Sequence, residues 1–122
     1  MKHTEGFLKL VEDARSRVRE VDVEQTLERI GQGARLIDVR EDNEWQRGHA
    51  DGAEHMGRGI IERDIEAAVP EHSAELILYC GGGYRSALAC DNLQRMGYTN
   101  VYSLAGGWKA WNDAGAPVAG ES

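Results

Sequence analysis

The sequence predicts an α/β fold in one domain, with a central and mainly parallel sheet. Short apolar strands alternate with amphipathic helices along the chain, which is typical of βαβ units. Glycines stand where helices should end, as at Gly31 and Gly97. A chain of 122 residues, 41% of them hydrophobic, is also long enough to bury a single core.

The first predicted element is an amphipathic helix over residues 5–19. Its apolar side chains recur at helical spacing among charged residues: Phe7, Val11, Ala14 and Val18. We treat residues 1–19 as an N-terminal helical extension and residues 20–122 as the main domain. The extension is expected either to pack on the domain or to serve as a docking or dimer surface.

A second helix and the first strand follow. Asp22 is the expected N-cap of the helix, and Gln25, three residues on, completes the pattern of a capping box. Gly31 and Gly33 should end this helix. The apolar run over 35–39 then predicts a short buried strand.

The rest of the chain continues the alternation of helix and strand. The predicted elements are a helix over 59–69, a strand over 75–79, a helix over 86–96, a strand over 100–102 and a short helix over 108–112. In parallel sheets, ligands bind beyond the carboxyl ends of the strands. Two such ends carry reactive or charged side chains here, at residues 38–40 and at Cys80.

The charge of the chain limits its partners. With 14 Lys and Arg against 21 Asp and Glu the net charge is −7, whereas nucleic acids and anionic membranes need a basic surface. Residues 1–71 hold 17 acidic and 11 basic side chains, but residues 72–122 hold 4 and 3. We therefore expect no nucleic-acid or membrane partner, and a nearly neutral second half.

The expected compartment is the cytoplasm. No apolar run approaches the ~20 residues that span a bilayer, and residues 1–6 lack the apolar stretch of a signal peptide. Two cysteines in such a chain indicate reduced thiols rather than a disulfide framework.

The most informative segment is the loop from Cys80 to Arg85, between a predicted strand and a predicted helix. Its three glycines, 81–83, allow the backbone to turn its amides inward, and inward amides at a helix N-terminus bind anions. These amides, the helix dipole and Arg85 should favour the thiolate of Cys80, which predicts a nucleophile at neutral pH. Cys90, on the apolar face of its helix, is predicted to be inert core instead.

Three blocks of the sequence resemble the single-domain rhodanese-like sulfurtransferases, over about residues 20–118. The first block is Leu36-Ile37-Asp38-Val39-Arg40 with Glu44-Trp45, Gly48-His49 and Gly52-Ala53. The second is Tyr79-Cys80-x-x-Gly83-x-Arg85-Ser86-Ala87. The third is Leu104-x-Gly106-Gly107-Trp108-x-x-Trp111 with Gly115-x-Pro117. The order and the separation of the three blocks strengthen the resemblance.

The resemblance implies a rhodanese-like fold in which the loop holds a persulfide on Cys80. Sulfane sulfur would pass from a donor such as thiosulfate to an acceptor such as cyanide or a thiol, with no metal or organic cofactor. The residues expected to bind the substrate are Gly81, Gly82, Gly83, Tyr84, Arg85 and Ser86. The residues expected to support the loop are Asp38, Arg40 and Glu44.

Two other functions stay open. Phosphatases of related fold use Cys-x5-Arg, whereas four residues separate Cys80 from Arg85 here, so a phosphatase or arsenate reductase is less favoured. Some family members carry basic residues after the cysteine that attract thiosulfate, where this chain has Gly81 and Gly82. The alternative is therefore a non-enzymatic relay, in which Cys80 takes sulfur from one protein and passes it to another.

Several side chains near these motifs are assigned structural roles. Arg85 is expected to form an ion pair with Asp38 or Glu44, with contact to the substrate as the alternative. His49 is interpreted as structural. Trp108 and Trp111 are expected in the core, and Arg58 is expected to be exposed at a helix start or to line the rim of the pocket.

Overall fold

A five-stranded parallel sheet forms the centre of the molecule. The computed structural model describes residues 3–120. Its elements are α1 (Glu5–Arg15), β1 (Arg19–Val21), α2 (Val23–Gly31), β2 (Arg35–Asp38), α3 (Asp42–Arg47), β3 (His49–Ala50), β4 (Glu54–His55), α4 (Ile61–Ala68), β5 (Leu76–Tyr79), α5 (Tyr84–Arg95), β6 (Val101–Leu104), α6 (Gly107–Asp113) and β7 (Val118–Ala119). The predicted α/β class is confirmed.

The strand order of the sheet is β1-β6-β5-β2-β4, and β3 and β7 form a separate antiparallel pair. In this register Asp38 of β2 is opposite Tyr79 of β5, and Leu78 is opposite Ser103 of β6. Strand β5 therefore lies in the middle of the sheet. Cys80, directly after it, stands at the carboxyl edge with a neighbouring strand on either side.

Both faces of the sheet are covered, as is usual for parallel sheets. All four residues of β5 are fully buried. One face packs with α4 and α5 in a cluster that includes Ile65, Leu78 and Leu93. The other face packs in a cluster that includes Leu36 and Trp111.

Local capping signals agree with the predictions. The Asp22 carboxylate accepts from the backbone N–H of Gln25 at 2.7 Å, and the Gln25 side chain accepts from the N–H of Asp22 at 2.9 Å. The capping box is therefore confirmed. Gly97 follows α5 with φ +105°, a conformation that glycine adopts without steric cost.

The first predicted helix is wrong at its C-terminal end. It stops at Arg15 rather than at residue 19, because a turn over 16–18 leads into β1, which pairs with the edge of β6. Several other bounds shift by one or two residues, and α5 begins at Tyr84 rather than Ser86. The short elements α3, β1, β3, β4 and β7 were not predicted.

Helix α1 packs against α5. Val11 and Ala14 are each 1% exposed. The Arg17 guanidinium donates to both carboxylate oxygens of Asp91 at 2.9 and 2.8 Å, and this hydrogen bonding lowers the pKa of Asp91. Of the two expectations for the extension, packing on the domain is the one observed.

The division into residues 1–19 and 20–122 stays a prediction, and residues 1, 2, 121 and 122 lie outside the described residues. Within residues 3–120 there is no helix with the length and apolar character needed to cross a bilayer.

Candidate active site

Backbone amides converge on the sulfur of Cys80. The N–H of Gly83 donates to Sγ at 3.1 Å and the N–H of Ser86 at 3.4 Å. The Ser86 hydroxyl lies 3.6 Å from Sγ and shares a hydrogen bond of 2.8 Å with the hydroxyl of Ser103 on β6. Cys80 is only 1% exposed, and these donors lie around its sulfur. The arrangement favours negative charge on sulfur.

Helix α6 fixes the loop from behind. The N–H of Trp108 donates to the carbonyl of Cys80 at 2.7 Å, and the N–H of Lys109 donates to the carbonyl of Gly81 at 3.2 Å. Because a peptide N–H points away from its own carbonyl, the N–H groups of Gly81 and Gly82 point away from α6. Gly83, with φ +95°, then leads into α5.

Gly107, the first residue of α6, should not tolerate a side chain. Its φ is +53°, and an added Cβ would overlap the carbonyl oxygen of Cys80. We expect Gly107→Ala to lower the free energy of unfolding by about 1–3 kcal/mol from backbone strain alone, and to displace the loop. Urea denaturation measures this change.

The matched control for Gly107 is Gly6→Ala in α1, where no neighbouring atom lies within 4 Å of the added Cβ. Alanine should stabilise that helix by about 0.5–1 kcal/mol. Equal effects of the two substitutions would refute the close contact between Gly107 and the loop.

Arg85 forms a bidentate ion pair with Glu44 of α3. Its Nη1 and Nη2 donate to the two carboxylate oxygens at 2.8 and 3.2 Å. This hydrogen bonding raises the pKa of Arg85 and lowers the pKa of Glu44. Of the two carboxylates expected for Arg85, Asp38 is not the partner.

Asp38 pairs with Arg40 instead, in a buried network behind the loop. The Asp38 carboxylate accepts from the backbone N–H and the guanidinium of Arg40 at 2.8–3.1 Å, and from the hydroxyl of Tyr79 at 2.6 Å. Burial, reinforced by the Asp38 charge, raises the pKa of Tyr79 well above its usual value. Arg40 also donates to the carbonyl of Gly48 at 2.7 Å.

The network reaches the loop through Trp108. The Arg40 guanidinium lies over the Trp108 ring, 4.6 Å from its centre, and the N–H of Trp108 holds the carbonyl of Cys80. Both tryptophans were expected in the core. Trp111 is buried there as predicted, but Trp108 is only half-buried, against the Arg40 guanidinium. The contacts described above are consistent with a supporting role for Asp38, Arg40 and Glu44, and that role stays a prediction.

The remaining candidates lie away from the sulfur. His49 stacks on Trp45 with ring centres 3.4 Å apart, and its Nδ1 is 3.0 Å from the Trp45 carbonyl oxygen. Arg58 is half-buried beside Glu62. Cys90 is fully buried, and burial raises the pKa of its thiol, which agrees with an inert role.

A cavity of about 630 Å³ opens beside Cys80. Its lining residues are His3, Phe7, Glu44, Cys80, Gly81, Gly82, Tyr84 and Arg85. Gly83 and Ser86 do not line the cavity, but their backbone N–H groups donate to the Cys80 sulfur. Asp38 and Arg40 do not line it either and lie behind the loop. His3 and Phe7 were missed as site residues: periodicity placed Phe7 on the apolar face of α1, but could not show that this face reaches the loop.

The described residues offer no obvious metal site. Nowhere in 3–120 do three or more His, Cys, Asp or Glu side chains gather as a set that could hold a metal ion.

Sheet, loop and cysteine define the class: a parallel α/β protein with a thiol held by backbone amides between a strand and a helix. The family model for the rhodanese-like domain matches residues 22–114. The chain belongs to this family, which confirms the predicted membership and the rhodanese-like fold.

Similar proteins include both sulfurtransferases and proteins with other descriptions. "Protein HIGH ARSENIC CONTENT 1, mitochondrial" of Arabidopsis thaliana is 35% identical over 93% of this chain and 74% of its own length. Thiosulfate sulfurtransferase GlpE of Shewanella oneidensis is 33% identical over 66% of this chain and 78% of its own length. A protein of unknown function from Rhodopseudomonas palustris, described as a possible tyrosine phosphatase, is 28% identical, with TM-score 0.84 over 98% of both chains.

Proposed function

We propose that the protein is a sulfurtransferase in which Cys80 carries sulfane sulfur as a persulfide. The observation that carries this proposal is the pair of backbone N–H groups, from Gly83 and Ser86, that donate to Sγ at 3.1 and 3.4 Å. Relatives named thiosulfate sulfurtransferase support the same class of reaction.

In the first step, the Cys80 thiolate attacks the outer sulfur of a donor such as thiosulfate. A bond forms between Sγ and that sulfur while the sulfur–sulfur bond of thiosulfate breaks, and sulfite leaves with the electron pair. Cys80 then carries a persulfide anion. In this proposal, the N–H donors at Sγ stabilise the thiolate before attack, and the other N–H groups of the loop would donate to the added sulfur.

In the second step, an acceptor removes the outer sulfur. Cyanide attacks that sulfur and leaves as thiocyanate, and the electron pair of the broken bond returns to Sγ as thiolate. The cycle needs no external oxidant or reductant, and no metal or organic cofactor is assigned to it.

The identity of the donor depends on the charge around the loop. Gly81 and Gly82 bring no cation, and Arg85 is already neutralised by Glu44. Thiosulfate is therefore a weak donor in this proposal. A protein persulfide is the alternative donor, and a sulfur relay between proteins is the alternative function. A cytoplasmic location stays a prediction.

A second candidate, chemistry on a phosphate-like oxyanion, comes from the names of two similar proteins. One name refers to arsenic content and the other description to tyrosine phosphatase. Four residues separate Cys80 from Arg85, and the guanidinium of Arg85 is engaged by Glu44 at 2.8 Å. Both features favour a single sulfur over a tetrahedral oxyanion.

The experiment that separates these functions supplies the purified protein with four substrates in parallel. Thiosulfate with cyanide should give thiocyanate, whereas an aryl phosphate should not be hydrolysed and arsenate with a thiol should not be reduced. A protein persulfide should transfer its sulfur to Cys80. Hydrolysis of phosphate or reduction of arsenate without any thiocyanate would replace the sulfurtransferase proposal.

Glu44→Gln should change both stability and the use of thiosulfate. Pairing with Arg85 lowers the pKa of Glu44. The ion pair therefore stabilises the fold fully at pH values above the ordinary Glu pKa of about 4.3. This stabilisation is lost as the pH falls through the lowered pKa of Glu44 in the folded protein. At neutral pH the variant should lose about 1 kcal/mol at most. Its stability should also depend less on pH below about 4.3. Thermal unfolding between roughly pH 3 and pH 7, a range that includes the ordinary pKa of a Glu side chain, measures both effects.

The same variant leaves Arg85 without its partner carboxylate. We expect the KM for thiosulfate to fall about fivefold, since an uncompensated cation attracts the dianion by about 1 kcal/mol. Asp113→Asn, which breaks the exposed pair with Lys109, is the matched control and should leave this KM unchanged. A KM that stays the same in Glu44→Gln would show that Arg85 does not meet the donor.

A further inference from the structure

We propose that the aromatic wall formed by His3, Phe7 and Tyr84 binds the apolar group of an organic thiol that accepts sulfur from Cys80. This inference rests on the proposed sulfur transfer and names the substrate class for its second step. The first two residues belong to the segment that begins α1, and Tyr84 begins α5. The wall therefore joins the N-terminal extension to the loop.

The three rings form one continuous surface. The centre of the His3 ring is 4.2 Å from that of Tyr84 and 5.2 Å from that of Phe7, and the centres of Phe7 and Tyr84 are 6.2 Å apart. All three residues line the cavity into which Cys80 opens. Aromatic surface beside a reactive atom provides a place to bury an apolar group.

Helix α1 holds this wall in a fixed position relative to the sulfur. The Arg15 guanidinium donates to the carbonyl of Gly83 at 3.2 Å and lies over the Tyr84 ring, 4.8 Å from its centre. The N–H of the same Gly83 donates to Sγ of Cys80. A single loop residue thus joins α1 to the reactive atom.

The opposite side of the cavity is charged but compensated. Among the described lining residues, Arg85 is the one guanidinium and Glu44 the one carboxylate, and they pair with each other. A dianion such as thiosulfate gains little from this paired, charged side of the cavity. An apolar group gains free energy when it leaves water for the aromatic wall. The volume of about 630 Å³ falls in the range of about 300–1,000 Å³ that holds small organic ligands.

The transfer step balances without a further reactant. The persulfide anion on Cys80 first takes a proton from solvent. The acceptor thiolate R–S⁻ then attacks the outer sulfur of the protonated persulfide, Cys80–S–SH, and forms a new sulfur–sulfur bond. The bond between that sulfur and Sγ breaks, and its electron pair stays on Sγ. The products are R–S–SH and the Cys80 thiolate, with the proton remaining on the transferred sulfur. The group R is the part that the aromatic wall would bind.

The test compares two thiol acceptors of similar acidity, phenylmethanethiol and 2-mercaptoethanol. The protein is first loaded with one sulfur and freed of donor, and loss of the sulfur is then followed by mass spectrometry in a single turnover. We expect the phenyl thiol to react about tenfold faster or more at limiting concentration. Phe7→Ala should bring the ratio close to one, and Phe7→Leu should retain part of it.

Leu10→Ala is the matched control, since Leu10 is on the same helix, 61% exposed and outside this cavity. It should keep the wild-type ratio. Equal rates for the two thiols in the wild-type protein would overturn the inference, as would a full preference in folded Phe7→Ala. Failure to load sulfur on Cys80 would instead overturn the proposed function, whereas a loaded protein that passes its sulfur to cyanide but to neither thiol would overturn the inference alone.

Discussion

Cys80→Ser should abolish sulfur transfer and leave the fold intact. A serine hydroxyl is nearly isosteric with the thiol, but it is a poor nucleophile toward sulfur and cannot hold a persulfide. Loss of a covalent nucleophile typically costs about 10³-fold or more in turnover. Because the site is 1% exposed and its N–H donors can bond to an oxygen, the melting temperature should change little. The rate of thiocyanate formation measures the loss.

Cys90→Ala is the matched control for Cys80→Ser. Cys90 is also a buried free thiol, but it lies on the core face of α5, with Leu93 in the same cluster. Its replacement should cost about 1 kcal/mol of stability and leave transfer in place. Thiocyanate formation that persists in Cys80→Ser, or disappears in folded Cys90→Ala, would contradict the assignment of the nucleophile.

Asp38→Ala should produce the largest loss of stability among the substitutions considered, about 3–5 kcal/mol. Asp38 is fully buried, and Arg40 is 3% exposed. Removing the carboxylate leaves a buried guanidinium whose remaining contacts are the Gly48 carbonyl and the aromatic rings beside it. The Tyr79 hydroxyl loses its acceptor as well.

The loop should be disturbed together with the fold, because Arg40 lies against Trp108, whose N–H holds the Cys80 carbonyl. Urea denaturation gives the free energy, and Asp113→Ala provides the comparison. Its pair with Lys109 has side chains 67% and 80% exposed, and its loss should cost less than about 1 kcal/mol. Similar losses for the two variants would refute the role of the buried network.

Features governed by neighbouring residues could be predicted from the sequence. The capping box of Asp22 and Gln25 depends on four consecutive residues, and the termination of α5 before Gly97 depends on one backbone conformation. The position of Cys80 beyond β5 followed from an apolar run that ends at the cysteine. The expectation that backbone amides surround it followed from the three consecutive glycines after it, which allow the loop to turn its N–H groups inward.

Features governed by pairing between distant segments could not be predicted in the same way. Strand β1 has three residues, and only its pairing with β6 distinguishes it from the end of a helix. Strand β4 has two residues and depends on β2 in the same manner. Periodicity over so few residues carries little information.

The candidate site shows the same limit. Arg85 could have met either of two carboxylates, and the position of α3 decides for Glu44. The participation of His3 and Phe7 depends on α1 lying across α5, a packing that the apolar face of α1 permits but does not specify. Sequence reasoning therefore identified the nucleophile and its loop, whereas the cavity wall required the three-dimensional structure.

The most direct test of the central claim is the intact mass of the protein before and after incubation with a sulfane-sulfur donor. Thiosulfate, a polysulfide and a protein persulfide would be tried separately. We expect a gain of one sulfur atom, located on the peptide that contains Cys80, removed by cyanide, absent from Cys80→Ser and retained in Cys90→Ala. No gain with any donor, or a gain located on Cys90 instead, would contradict the account.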